Sequence, residues 1–263
     1  MPQILLDQFD SLPQFNLNTF VRGNGVLEPL GQTLRFKNNP TTEDQYTNAQ
    51  IDDYQKLSRH QFLWRPPLKM QVRARFSHPD GVLKGTAGFG FWNDPFMMTG
   101  VRRPTLPKAV WFFYASPPSN MKLDSHVPGF GWKAATIDVW HWPFFVLVPL
   151  APLAVPLMNV PALYRLCWPV GQRAIRVQEQ QIVASMTDWQ TYELTWQKEE
   201  ICFFVNKNLI LSGRMVPNGP LGLVVWFDNQ YMIVTPWGQF GYGLIETSQT
   251  QWMELDHLTI TPV

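Results

Sequence analysis

Charge is scarce in this chain. Only 16% of its 263 residues are Asp, Glu, Lys or Arg, and 21 basic side chains nearly cancel 20 acidic ones. So small a net charge sets up no long-range field for a polyanion, which argues against a nucleic-acid partner. Cysteine is scarcer still. Cys167 and Cys202 each sit in an apolar run, where a free thiol behaves as a small hydrophobe, and nothing in them suggests a disulfide framework or a zinc site. No second His or Cys stands at metal-ligand spacing. The chain has no glycine-rich phosphate loop in a strand-to-helix context and no Gly-x-Ser-x-Gly elbow for a serine nucleophile. Its opening, MPQILLDQFD, has neither a basic region nor a long apolar core, so no signal peptide is read there and a cytoplasmic location is expected.

What is abundant is aromatic and proline: 12 Trp, 18 Phe and 23 Pro, within a 45% hydrophobic composition that can bury a sizeable core. That much proline suits sheets joined by many turns better than helices. Met70, Val72, Ala74 and Phe76 alternate with Gln71, Arg73 and Arg75, the period of a strand with one buried face. The run AVWFFYA at 109–115 is apolar on both faces and reads as a central strand. GTAGFGFW at 85–92 is a glycine-broken strand, where another backbone or a ligand comes close. Turn residues around 201–205 give a three-strand meander running through Leu211. The count reaches about a dozen strands, with no convincing amphipathic helix and no internal repeat. The expected architecture is all-β: two antiparallel sheets packed as a jelly-roll sandwich, one domain over 1–263.

One stretch departs from this. Residues 140–169, WHWPFFVLVPLAPLAVPLMNVPALYRLCWP, carry no formal charge before Arg165. The length raises the question of a membrane span, which needs ~20 apolar residues. Pro143, Pro149, Pro152, Pro156 and Pro161 argue against it, since each interior proline costs a helix ~3 kcal/mol. The expectation is a proline-stiffened apolar loop inserted between two strands, acting as a lid, an oligomer contact or a membrane-docking surface.

Several segments together resemble the concanavalin A-like jelly roll of laminarinase-type (family 16) glycoside hydrolases. The opening LLDQFDS resembles that family's Asp-Glu-Phe start, with Gln8 in the acidic place. TNAQI at 47–51 is similar to the strand that begins its sugar cleft, and GFGFW at 88–92 to its Trp-bearing strand. LTWQKEEICFFVNKNLIL at 194–211 is similar to its charged-turn hairpin, and MELDHLTI at 253–260 to its closing strand. The family's catalytic signature, Glu-x-Asp-x-(x)-Glu on one strand, is the departure: after GFGFW this chain reads AVWFFYASPP, with no carboxylate between Asp94 and Asp124. The signature supplies a nucleophile and an acid/base from one face of a strand. Without it, retaining hydrolysis is not expected. The resemblance also implies a structural calcium held by Asp256 and Asp7, against the alternative of a plain surface carboxylate at Asp256; no other cofactor is expected.

Among the chemically useful side chains, Trp92, Trp111, Tyr114, Trp140, Trp142, Trp226 and Trp237 are the candidates for a ligand platform, since aromatic rings stack on the apolar faces of pyranoses; the competing role is core packing. Asp94, His141 and Asp228 are the acid–base candidates. Asp94 in Asn-Asp-Pro and Asp228 in Asp-Asn also suit ordinary Asx turns, and His141 between two tryptophans also suits a satisfied, half-buried imidazole. Arg59, His60, Arg65, Lys69, Arg73 and Arg75 read as a solvated face or as an anion site. Three functions stay open. The first is a non-hydrolytic module binding a glycan or similar ring-bearing ligand in a concave aromatic cleft. The second is an enzyme or carrier for an apolar, lipid- or isoprenoid-like molecule under the 140–169 lid. The third is a membrane-peripheral or homo-oligomeric protein that docks through that stretch.

Overall fold

A computed structural model of the chain describes residues 4–6, 17–96 and 103–263. One sheet runs in the order β13 (Asn208–Gly213), β12 (Ile201–Val205), β11 (Gln190–Trp196), β6 (Leu68–Phe76), β17 (Gln251–Pro262), β4 (Leu34–Asn38) and β3 (Gly25–Pro29). The short β1 (Ile4–Leu6) also pairs with β17, making eight strands. The second sheet has seven: β10 (Gln178–Gln181), β9 (Gly131–Asp138), β8 (Lys108–Ala115), β7 (Thr86–Trp92), β14 (Gly222–Asp228), β5 (Asn48–Asp52) and β2 (Asn18–Arg22). β15 (Gln230–Val234) and β16 (Phe240–Leu244) form a separate hairpin. Neighbours within both sheets are antiparallel, and the two sheets form the expected jelly-roll sandwich. Gly25–Pro29 is held as a strand by its pairing along β4.

The alternation along β6 is realised as read. Met70, Val72, Ala74 and Phe76 are buried between the sheets, in one core with Phe89 and Phe91 of β7, Phe112 of β8 and Tyr192 of β11. Aromatic edges hold the sheets together: the Tyr192 ring lies 5.2 Å from both Phe89 and Phe112, and Phe203 meets Phe112 edge-on at 5.2 Å. Each such ring removes ~150–250 Å² from water, a gross gain of several kcal/mol at ~25 cal/mol per Å².

On the outer face of the eight-stranded sheet, the arginines of β6 are not free cations. Arg73 and Arg75 stack on Trp189, Arg75 and Arg35 on Trp252, and Glu254 accepts from Arg35 at 3.1 Å and Arg75 at 3.3 Å. Burial would raise the Glu254 carboxyl, but bonds from Thr33 and Arg35, with Arg75 beside it, hold it below the usual carboxylate range.

The 140–169 stretch is corrected by the structure: it is helical. α1 (Trp142–Leu147), a single 3₁₀ turn (Val148–Leu150), α2 (Ala151–Leu157) and α3 (Pro161–Ala174) follow one another before β10 begins. Proline in a helix interior is a breaker, yet Pro143, Pro149, Pro152 and Pro161 each fall in the first turn of a segment, where the missing N–H has no intrahelical partner anyway. Proline here divides the stretch into short helices instead of abolishing them; only Pro156 and Pro169 lie in helix interiors. α3 ends where Arg176 adopts φ +52°. Val177 N–H then reaches back to the Gln172 carbonyl at 3.2 Å, a Schellman closure with Val177 buried beneath it. No helix among the described residues is long and apolar enough to cross a membrane.

Candidate functional site

The seven-stranded sheet also carries aromatics on its outer face. Period two on β8 sends Val110, Phe112 and Tyr114 into the core and leaves Ala109, Trp111, Phe113 and Ala115 outside. On β7 and β14 the same alternation puts Trp92 and Trp226 outside. The four rings form one cluster. Trp111 lies 5.1 Å from Phe113, 5.4 Å from Trp226 and 5.9 Å from Trp92, while Trp92 and Trp226 are nearly parallel at 6.5 Å. Trp92, Trp226 and Phe113 are buried beside one another, and Trp111 is half-buried.

Glycine makes room for these rings. Across the strands Trp226 pairs with Gly88, Trp111 with Gly90 and Trp92 with Gly222. A Cβ at Gly88 would lie 2.7 Å from the Trp226 indole, and one at Gly222 would run into the Tyr54 ring. The glycines of GTAGFGFW are therefore sites of close approach by the protein itself: the neighbouring strands' backbone at Gly85, Gly88 and Gly90, joined by the Trp226 indole at Gly88.

Two hydrogen-bond chains fix the indoles. Trp226 Nε1 donates to Thr86 Oγ1 at 2.9 Å, and Thr86 Oγ1 donates to Asp228 Oδ1 at 2.7 Å. Trp92 Nε1 donates to the Tyr54 hydroxyl at 2.7 Å, beside Gln50, whose amide donates to Asp52 Oδ2 at 2.9 Å. Burial raises the carboxyl of Asp228 to about 6, although Thr86 and the Gln230 N–H oppose the rise. Asp52 is likewise raised by burial against bonds from Gln55, Gln50 and the Tyr54 N–H. Both carboxylates are braced inside the protein, and β8 presents none. Phe113, Gln50, Asp52, Tyr54 and Thr86 are absent from the sequence-derived candidates. The signal was there: Phe113 stands two residues from Trp111, and Asn48, Gln50 and Asp52 share a face in TNAQID.

The other candidates are dispersed. Tyr114 is corrected: it faces the opposite way from Trp111 by strand parity, is fully buried, and donates from its hydroxyl to the Leu83 carbonyl at 2.8 Å. Trp140 and Trp142 are exposed at the start of the helical insertion. Trp237 sits in the β15–β16 turn with its ring edge-on to Tyr164 of α3 at 5.6 Å. Asp94 is buried just past β7 with φ +46°, and its carbonyl, with that of Asn93, accepts from the Arg59 guanidinium at 2.6 Å. Asp228 closes β14 opposite Thr86, the far end of β7, so roughly 20 Å of strand separates it from Asp94. His141 belongs to a clamp at the near end. Its Nε2 lies 3.0 Å from Asp138 Oδ2 and 2.8 Å from Arg176 Nη1, and Asp138 also pairs with Lys108 at 3.2 Å. One nitrogen can donate to Asp138 or accept from Arg176, not both. The three acid–base candidates do not converge on one point.

The calcium site is not assembled from the residues described. Asp256, the bulged residue of β17, is engaged by Arg73, and Asp7 lies outside the described residues. No group of three His, Cys, Asp or Glu that could hold a metal occurs among the described residues.

The two antiparallel sheets form a jelly-roll sandwich of the concanavalin A-like kind. No protein-family model matches the chain, and no curated protein matches it by sequence. Solved structures match it in fold. A prokaryotic β-1,3-1,4-glucanase (lichenase) from a mouse hindgut metagenome is 10% identical over 100% of both chains, with a TM-score of 0.53. The Bacillus licheniformis β-glucanase is 8% identical over 99% of this chain and 98% of that one, TM-score 0.53. The GlcNAcα1-4Gal-releasing endo-β-galactosidase of Clostridium perfringens is 12% identical over 99% of this chain and 62% of that one, TM-score 0.54. The chain shares the jelly-roll fold of these solved structures, and its sequence carries no Glu-x-Asp-x-x-Glu strand.

Proposed function

We propose that this protein is a non-hydrolytic binding module whose ligand, a carbohydrate or a similar ring-bearing molecule, stacks on the aromatic outer face of the seven-stranded sheet around Trp111. The observation that carries the reading is the composition of β8 on that face. Its outward positions are Ala109, Trp111, Phe113 and Ala115, so they offer ring surface and no acid or nucleophile. Trp92 and Trp226 are buried with their indole N–H groups bonded within the protein, which leaves the half-buried Trp111 ring as the recognition surface. The fold supports a glycan as the ligand class, because the solved structures that share it are named as glycan-cleaving enzymes.

The test is titration of tryptophan fluorescence with a panel of β-linked oligosaccharides, run beside an assay for released reducing ends. Quenching by at least one oligosaccharide, no hydrolysis, and loss of the response in Trp111→Ala are expected. A broad panel that leaves the fluorescence unchanged sets the reading aside, and release of reducing ends that survives in Trp111→Ala contradicts it.

A further inference from the structure

We propose that the helical insertion is a membrane-docking surface that lies in the interfacial layer of a bilayer containing anionic lipid. α3 shows why. Its inward side, Tyr164, Trp168 and Gln172 at i, i+4 and i+8, packs on the protein: the Tyr164 ring lies edge-on to Trp237 at 5.6 Å, Trp168 Nε1 donates to the Leu123 carbonyl at 2.8 Å, and Gln172 bonds Asp124 at 2.7 Å and the Ser125 N–H at 3.1 Å. The opposite side, where a surface helix normally turns polar residues to water, carries Leu166 and Val170. Apolar side chains stand outward on all three helices: Trp142 is 76% exposed, Leu153 73% and Leu166 73%, with Val146, Leu157 and Val170 also exposed. They contribute nothing to the core and mark a contact with something apolar.

Backbone chemistry suits lipid as that partner. First-turn prolines delete N–H groups that would otherwise be carried into an apolar layer without acceptors. Trp140 and Trp142 are exposed beside the aliphatics, as indoles at a headgroup boundary are. The charge pattern separates a bilayer from a second copy of the chain. From Val139 to Gln178 there are three arginines, Arg165, Arg173 and Arg176, and no Asp or Glu, in a protein whose charges otherwise balance. Arg176 is held by His141, whereas Arg165 and Arg173 are exposed on α3. Two such faces packed together would oppose arginine to arginine; anionic headgroups supply the missing sign. The helices are too short to span, so the surface lies on the bilayer and does not cross it. The proposal stands apart from whatever the aromatic face binds.

Vesicle flotation of the full chain tests it, with phosphatidylcholine alone and with phosphatidylcholine containing phosphatidylglycerol. The wild type is expected to float with the anionic vesicles and to be released by salt. Leu153→Glu/Leu166→Glu is expected to lose at least roughly tenfold in partitioning with an unchanged circular dichroism spectrum and melting midpoint. Arg165→Gln/Arg173→Gln is expected to bind weakly and without a preference for phosphatidylglycerol. A wild type that floats with neither vesicle overturns the proposal, as does a leucine variant that floats equally well. A wild-type dimer by light scattering that the leucine variant dissociates, with no flotation of either, assigns the surface to a second copy and also overturns it.

Discussion

Two regions of this molecule are made from the same kinds of residue and behave in opposite ways. The outer face of the seven-stranded sheet and the helical insertion are both rich in Trp and Phe. On the sheet, each tryptophan stands opposite a glycine and two of them end in a bonded N–H, so the rings bury one another. On the insertion, Trp142, Leu153 and Leu166 are turned to solvent. The difference teaches that apolar composition alone does not decide burial. A pleated face with small partners lets large rings lie flat and close, whereas a short proline-started helix anchored along one side leaves its other side without a partner.

That contrast sets the sizes of the expected effects. Trp226→Ala should cost about 3–5 kcal/mol of stability, read by urea unfolding, because the ring leaves a cavity over Gly88 and the Thr86–Asp228 chain loses its donor. Gly88→Ala should cost about 1–3 kcal/mol, since its new methyl collides with the indole. A neutral result there would mean that the glycine spacing is incidental. On the insertion, Leu153→Ser should leave stability within about 0.5 kcal/mol; a loss of several kcal/mol would show a packed side chain and erase the contrast.

Between these extremes lies a pH effect that belongs to the sheet alone. Burial raises Asp228 to about 6 and Asp53 to about 7 from an ordinary 3.8, the latter against bonds from Trp64 Nε1 and the Leu223 N–H. A carboxyl with a raised folded-state pKa holds its proton more tightly in the native protein. Its contribution is complete below about pH 4 and is lost as pH rises through 6 for Asp228 and 7 for Asp53. For Asp228 the loss is on the order of 3 kcal/mol. Asp228→Asn should flatten the stability profile between pH 4 and 6, measured as unfolding midpoints across that range. An unchanged slope would place the titration elsewhere.

The sandwich was legible because period two in 70–76 and the all-apolar 109–115 are local patterns, and burial of one face follows from them directly. The absence of carboxylates on β8 was legible for the same reason: it is a property of one strand. Tyr114 is misplaced by the sequence reading: Ala109, Trp111, Phe113 and Ala115 face outward while Val110, Phe112 and Tyr114 face the core, and a strand apolar on both sides gives no clue which parity is which. The helices were missed because a proline in a first turn and a proline in a helix interior are the same letter; only the position of the first hydrogen-bonded turn separates them.

By itself, then, the sequence determined the two-sheet architecture, the strand without acids and the charge-free stretch. Tertiary structure alone decided which tryptophans meet, that Gly88, Gly90 and Gly222 face them, that Asp94 and Asp228 lie beside opposite ends of β7, and that the apolar stretch is helical and turned outward. Those are questions of register and of contacts between residues far apart in the chain. Pairing energies across strands and helix docking fix them, and neither is encoded in any short window.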